Sequence, residues 1–192
     1  MISHFFVAYP AIFPFFLVKR ILIIVGIIAA VLGVAFVVFM RQTKSHSPAA
    51  AAVYQQNGLD VRVSYCQPAK KGRVIFGKLL PYGQVWRTGA NEATEISFSQ
   101  PVLFADKPVP AGKYTLFTIP NEKSWTVILN QETGQWGLSH DESKDLLRVV
   151  VPPVPQPDVT ELFTVAFHEA GNGSEMQLLW DQTKVAVPIR AQ

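Results

Sequence analysis

The sequence predicts an all-β domain, of β-sandwich or jelly-roll type with one short helix, preceded by a single N-terminal transmembrane helix. Three observations carry this. From Asp60 onward, apolar residues alternate with polar ones at period two, the mark of half-buried strands. Turn chemistry interrupts the alternation at Pro108, Pro110, Pro120-Asn121, Gly134, Gly171-Asn172-Gly173 and Asp181-Gln182. Ahead of all this lie twenty residues, Ile21 to Met40, with no charge and no Pro. As an α-helix they span about 30 Å, the hydrocarbon thickness of a bilayer.

Residues 1–20 form an apolar stub. Phe5, Phe6, Phe13, Phe15 and Phe16 make it greasy, while Pro10 and Pro14 are expected to break any helix there. A translation start near Val18 would place Lys19 and Arg20 directly before the apolar run; an N-terminal peptide beginning earlier would refute that. Residues 21–40 are the membrane helix. An uncleaved anchor and a cleaved signal are both readings of it. The run exceeds the roughly 7–15 apolar residues of a signal and meets Arg41 at once, which favours the anchor. Lys19 and Arg20 on one side balance Arg41 and Lys44 on the other, so the positive-inside rule leaves orientation weakly set. The expected topology is single-pass, with the C-terminal domain extracytoplasmic, in the periplasm or at the cell surface. The lipid bilayer is thus the first expected partner, through Ile21–Met40. Residues 41–52 (RQTKSHSPAAAA) read as a flexible stalk.

Residues 53–192 form the domain. Strands are expected around Val61, Val63 and Tyr65; Ile96 and Phe98; Tyr114 and Leu116; Trp125, Val127 and Leu129; Phe163, Val165 and Phe167; Met176, Leu178 and Trp180; and Val185, Val187 and Ile189. Ser139 to Val149 reads as a short helix, with Ser139 as N-cap and an acidic first turn, feeding a strand from Leu147 to Val151. Pro152, Pro153, Pro155 and Pro157 suggest a stiff extended crossover.

The formal net charge of +3 invites a nucleic-acid reading, which fails once the charges are located. Four of the 17 basic residues flank the apolar span, leaving thirteen from Arg62 onward against all 14 acidic ones. The domain therefore carries about one negative charge net, and a phosphate-backbone binder keeps its positive excess on its own surface. Cys66 is the single cysteine, so neither an intramolecular disulfide nor a thiolate metal cluster can be built. It reads as an inert, partly buried strand residue.

The densest polar chemistry lies in KKGRVIFGKLLPYGQVWRTGANEAT, Lys70 to Thr94. Gly72, Gly77, Gly83 and Gly89 permit tight turns. In and beside this run stand the candidate ligand-binding residues Arg73, Trp86, Arg87, Asn91 and Glu92, with Trp136 as an added wall from later in the chain. Arg73 and Arg87 would hold an anionic or polar group, Trp86 would stack, and Asn91 and Glu92 would orient hydroxyls. The competing reading is structural: Glu92 pairs with an Arg, and Asn91 satisfies its own loop. Trp125 and Trp180 lie in phase with apolar strand positions and read as core.

His140, with Asp141, Glu142 and Asp145 nearby, is a mixed ligand set without the i, i+4 His spacing of a zinc helix. An acidic first turn explains the same residues, and no metal or cofactor is assigned. His168 falls out of phase with Phe163, Val165 and Phe167, at a solvent-facing position. No G-x-S-x-G or phosphate loop occurs.

Tyr65–Pro68, the run Gly72 to Thr94, AGKYTLFTIP (Ala111 to Pro120), SWTVILN (Ser124 to Asn130), QWG (Gln135 to Gly137) and Asp145-Leu-Leu-Arg148 together resemble the DUF 2911 family, a domain of unknown function. The likeness covers about Val53 to Ile189. The family's first motif often reads Tyr-x-Arg-Pro, and Gln67 stands here in the place of that Arg. The resemblance implies an extracytoplasmic bacterial β-domain, usually behind a signal peptide or lipid anchor, and supplies no catalytic residue. The expected function is a membrane-anchored cell-envelope module, non-catalytic, binding or structural. Its expected partners are a polar small molecule, a glycan or an envelope protein. The rival is a hydrolase using Glu92 or Asp145 as general acid or base.

Overall fold

The computed structural model of the protein describes residues 13–56 and 58–192. The chain divides into two compact units, one ending at Gln42 and one running from Thr43 to Gln192. The helix α1 spans Phe13–Ser45, and makes up the described part of the first unit with its last turn entering the second. Its segment Leu17–Phe39, 23 residues, is long and apolar enough to cross a membrane, and none of it is buried against protein. A helix that is apolar all round needs lipid or a protein core to cover it. A signal sequence near an N-terminus can also be long and apolar enough to meet this description. Pro14 does not break this helix, contrary to expectation. It occupies the first turn, where a missing N–H costs nothing. The rest of the expected stub, through residue 12, lies outside the described residues.

The second unit is built of antiparallel strands. In chain order they are β1 (Ala49–Gln56), β2 (Leu59–Cys66), β3 (Glu95–Phe98), β4 (Val102–Phe104), β5 (Lys107–Val109), β6 (Gly112–Ile119), β7 (Trp125–Asn130), β8 (Asp145–Val151), β9 (Pro153–Ala170) and β10 (Gly173–Ala191). One sheet has the order β1-β2-β3-β6-β7-β8, the other β5-β4-β10-β9. The alternating residues point where period two requires. Val61, Val63 and Tyr65, then Met176, Leu178 and Trp180, then Val185, Val187 and Ile189 are all buried in one shared core. Contacts cross it from sheet to sheet. The Tyr65 hydroxyl accepts from the Val165 N–H at 3.0 Å, and the Phe98 and Phe104 rings stand 6.1 Å apart. Burial pushes the Tyr65 phenol pKa up, with the Val165 backbone contact opposing it. The arrangement is the sandwich the sequence predicts.

Three local expectations fail. Residues 41–52 are not a flexible stalk: helix continues to Ser45, and Ala49–Gln56 is a strand paired along its length with β2. Alanine has low strand propensity, but Ala50 and Ala52 pack against the core and Tyr54 is buried in it, so tertiary packing overrides composition. The helix expected from Ser139 is only a 3-10 turn, Glu142–Lys144, capped by Asp141 rather than Ser139; the strand then begins at Asp145. The proline-rich crossover is instead the first part of β9, where Val154 and Pro155 pair with Lys184 and Thr183. β9 is an edge strand, the one place in a sheet where prolines lose no ladder bond on the open side. Strands β4 and β5 were too short to show a period.

The β9–β10 hairpin turns tightly at Gly171 to Gly173. A Cβ on Gly173 would lie 2.3 Å from the Ile189 carbonyl oxygen and 2.9 Å from the Arg190 Cα, both backbone atoms that cannot swing aside. Gly173→Ala is therefore expected to destabilise the domain by about 1–3 kcal/mol, seen as a lowered midpoint in urea unfolding.

Candidate functional site

The segment between β2 and β3, residues 67–94, contains no strand and holds the sequence's polar cluster. It is nonetheless tightly built. Ile75 is fully buried, and the Phe76 ring lies 5.0 Å from Trp125 and 6.3 Å from Trp180. Trp86 sits on the strand edge through a reciprocal backbone pair with Thr118, at 2.7 and 2.9 Å. Its indole is 7 % exposed, stacks on Trp180 at 5.6 Å and meets Phe163 at 5.0 Å. The indole N–H donates to the Gly89 carbonyl at 3.0 Å. Thr88, in the left-handed region (φ 55°), and Thr94 are both buried; the Thr94 hydroxyl donates to the Thr88 carbonyl at 2.6 Å. The run from Trp86 to Thr94 thus alternates buried anchors with outward polar groups.

Each of those outward groups is tied to its own backbone partners. Arg87 donates through Nη1 to the carbonyls of Asn91 (2.7 Å) and Trp136 (2.8 Å), clasping two loops. Gly137, with φ 63°, makes that approach feasible, since a Cβ there would lie 2.8 Å from the Arg87 Cβ. Asn91, itself left-handed at φ 58°, donates its amide to the Ser47 carbonyl at 3.2 Å. Arg73 is exposed, and its Nε donates to the Lys70 carbonyl at 3.0 Å, with Nη2 on Ala69.

Two open hollows flank this segment. The first, about 410 Å³, is lined by Lys71, Arg73, Arg87 and Asn91, with the Leu79 and Trp180 side chains among its apolar parts. His46 and Ser47 also border it. No carboxylate is in its lining. The second, about 520 Å³, lies over β1 and β2 and is lined by Ala49, Ala51, Arg62, Ser64, Glu92 and Glu95. Small side chains make it hollow. Glu92 belongs here, where its Oε2 lies 3.7 Å from the Cys66 Sγ. The structure therefore brings Arg73, Arg87 and Asn91 together, assigns Glu92 elsewhere, and withdraws the Trp86 ring from stacking. Trp136 is 39 % exposed and meets the site through its carbonyl.

Asp145 has a different fate. Its Oδ1 accepts from Asn130 and from His140 Nε2, both at 2.8 Å, and its Oδ2 accepts from Arg148 Nε and Nη2, both at 2.7 Å. The side chain is 7 % exposed and that of His140 8 %. Burial alone would raise the Asp145 pKa, but the bonds from Asn130, His140 and Arg148 together outweigh it and hold the carboxyl below its ordinary range. Asp145 and Glu142 in turn raise the Arg148 pKa. All four lone-pair directions of this carboxylate are occupied, an arrangement that fixes the turn before β8 rather than leaving an acid or base for substrate. Among the described residues no group of three or more His, Cys, Asp or Glu side chains is placed to hold a metal ion.

The profile of a family described as "Protein of unknown function (DUF2911)" matches residues 47–189. The chain belongs to this family. No match to a curated protein or to a solved structure was found. The DUF2911 match takes in all six residues singled out from the sequence and begins at Ser47, so β1 is part of the domain. Gln67, in the place where the DUF2911 motif often carries Arg, donates its amide to the Phe163 carbonyl at 3.2 Å and ties the loop to β9. Sequence reasoning missed His46, Lys71 and Leu79 as lining. Lys71 and Leu79 stood within the run but without a local signal to separate them, and His46 lay in the supposed stalk.

Proposed function

We propose that this DUF2911 domain is a non-catalytic binding module, anchored in a membrane by α1 and displayed on its extracytoplasmic side. In this reading it holds a small carboxylate- or phosphate-bearing molecule in the hollow beside Arg73 and Arg87. The observation that carries this is the lining: three cationic side chains and an amide around about 410 Å³, with no carboxylate. Arg73 Nη1 and Arg87 Nε and Nη2 are not used by the clasp bonds. A guanidinium has five N–H donors in a fixed fork. The hydrolase reading loses support from the same geometry. Asp145 is locked in its own cluster, and Glu92 lines the other hollow.

Thermal unfolding with citrate, inorganic phosphate and a sugar phosphate tests this. A probe at a hundred times its Kd stabilises by about 2.7 kcal/mol, a midpoint rise of about 5–10 °C for a domain of this size. Arg73→Ala is expected to abolish the rise while lowering the unliganded midpoint only slightly, because its bonds to the Lys70 and Ala69 carbonyls are solvent-exposed. A rise that survives Arg73→Ala and Arg87→Lys places the ligand elsewhere. A rise with neutral oligosaccharides alone would replace the anion by a glycan.

A further inference from the structure

We propose that the segment 70–87 is a docking surface for an anionic lipid bilayer. The first observation is charge segregation. Lys70 to Arg87 contains five basic residues and no acidic one, whereas the remainder of the chain from Asp60 holds eight basic and 14 acidic residues. A near-neutral domain thus carries a cluster of positive charge on one loop, against which stand the carboxylates of Asp181 and of Glu161, whose Oε1 accepts from the Lys71 N–H at 2.7 Å. Lys70 is engaged by Asp181 at 3.4 Å and is largely covered, but Lys71, Arg73 and Lys78 are exposed.

The second observation is apolar exposure on the same loop. Val74 is 63 % exposed, and Leu79, Tyr82 and Val85 about 40 % each. Exposed apolar residues scattered singly mean little, but these belong to one pinned structure. Ile75, Phe76 and Trp86 plug into the core beneath, so the loop is held rather than free to fold its apolar side chains inward. The Leu79 N–H donates to the Val74 carbonyl at 3.2 Å, which sets those two residues side by side. Tyr82 lies over Gly77, whose absent Cβ would be 2.8 Å from the ring. Aliphatic side chains, a tyrosine and lysines interleaved on one exposed element are the composition that seats a protein at a headgroup layer. The apolar groups enter the boundary region, and the cations meet lipid phosphates. A nucleic acid would gain nothing from Val74 or Leu79. The lipid commitment also fits the chain itself, which carries a bilayer-length helix a few residues before this domain.

This inference shares Lys71, Arg73 and Leu79 with the small-anion reading and is separated from it by Val74, Lys78, Tyr82 and Val85, which do not line the hollow. The full chain would be reconstituted in nanodiscs of phosphatidylcholine, with and without phosphatidylglycerol, and amide hydrogen exchange followed by mass spectrometry. Peptides covering residues 72–85 are expected to exchange several-fold more slowly on the anionic discs than on the zwitterionic ones, with the strands unchanged. Val74→Asp with Val85→Asp, and separately Lys78→Glu, are each expected to remove that protection while leaving the unfolding midpoint in place. Equal exchange on both discs overturns the proposal. So does protection on phosphatidylcholine discs brought about by inorganic phosphate at matched ionic strength, which would make the ligand a free anion. Loss of the phosphate-induced midpoint rise with disc protection retained would refute the small-anion reading alone.

Discussion

Trp86→Ala is expected to lower the free energy of unfolding by about 3–5 kcal/mol, measured by urea titration of the full chain in mild detergent. The size follows from what the ring touches. Trp86 lies between the sheets, stacked on Trp180 and edge-on to Trp125 and Phe163. It also closes the loop through its indole N–H on Gly89. Removing it opens a cavity among rigid aromatics that cannot collapse, and strips a buried carbonyl of its donor. Trp136→Ala is the control. Its side chain is 39 % exposed and its role is played by its carbonyl, so the cost is expected to stay within about 0.5 kcal/mol. Equal effects of the two substitutions would show that the core is not where Trp86 resides.

The second large effect is expected at Asp145. Asp145→Ala would leave the His140 and Asn130 side chains without their shared acceptor and expose Arg148 to Glu142 alone. Arg148 is partly solvated, so the loss comes chiefly from the two buried donors, about 2–4 kcal/mol in all. The pH dependence has a definite sign. The folded carboxyl titrates below its unfolded value, so its contribution is complete above the ordinary aspartate pKa of about 3.9 and is lost as pH falls through the lower folded value. Wild-type stability should therefore decline below about pH 4, and Asp145→Asn should decline less steeply over that same range while being weaker at neutral pH. Parallel acid curves for the two proteins would assign the slope to other carboxylates, such as Asp141, which Ser143 also holds low.

Much of the sandwich was legible because its strands are half-buried and alternate. The apolar triplets of β2, β7 and β10 needed only the period-two rule. What escaped did so for identifiable reasons. Ala49 to Ala52 has no amphipathic pattern, since small side chains serve both faces of β1. Pro153 and Pro155 resemble a linker until one knows that β9 is an edge. The site was legible in part. The run from Lys70 to Thr94 advertised itself by composition, yet nothing in it distinguishes Trp86, which turns inward, from Arg87, which turns out. That difference depends on Thr118, Phe163 and Trp180, which are distant in sequence. The Asn130–His140–Asp145–Arg148 cluster was half visible. The acidic stretch around His140 reads as a mixed ligand set, but Asn130 comes from the neighbouring strand and only pairing of β7 with β8 delivers it.

The position of β10 carries a consequence for biogenesis. The last strand of the chain is not at a margin of its sheet but inside it, flanked by β4 and β9. Until β10 has been synthesised, β4 has no neighbour on one side and β9 has only its backbone contacts with residues 68–70. The second sheet therefore cannot mature progressively as the polypeptide emerges; it closes in a single late event. Truncation before Gly173 would abolish half the sandwich rather than trim it.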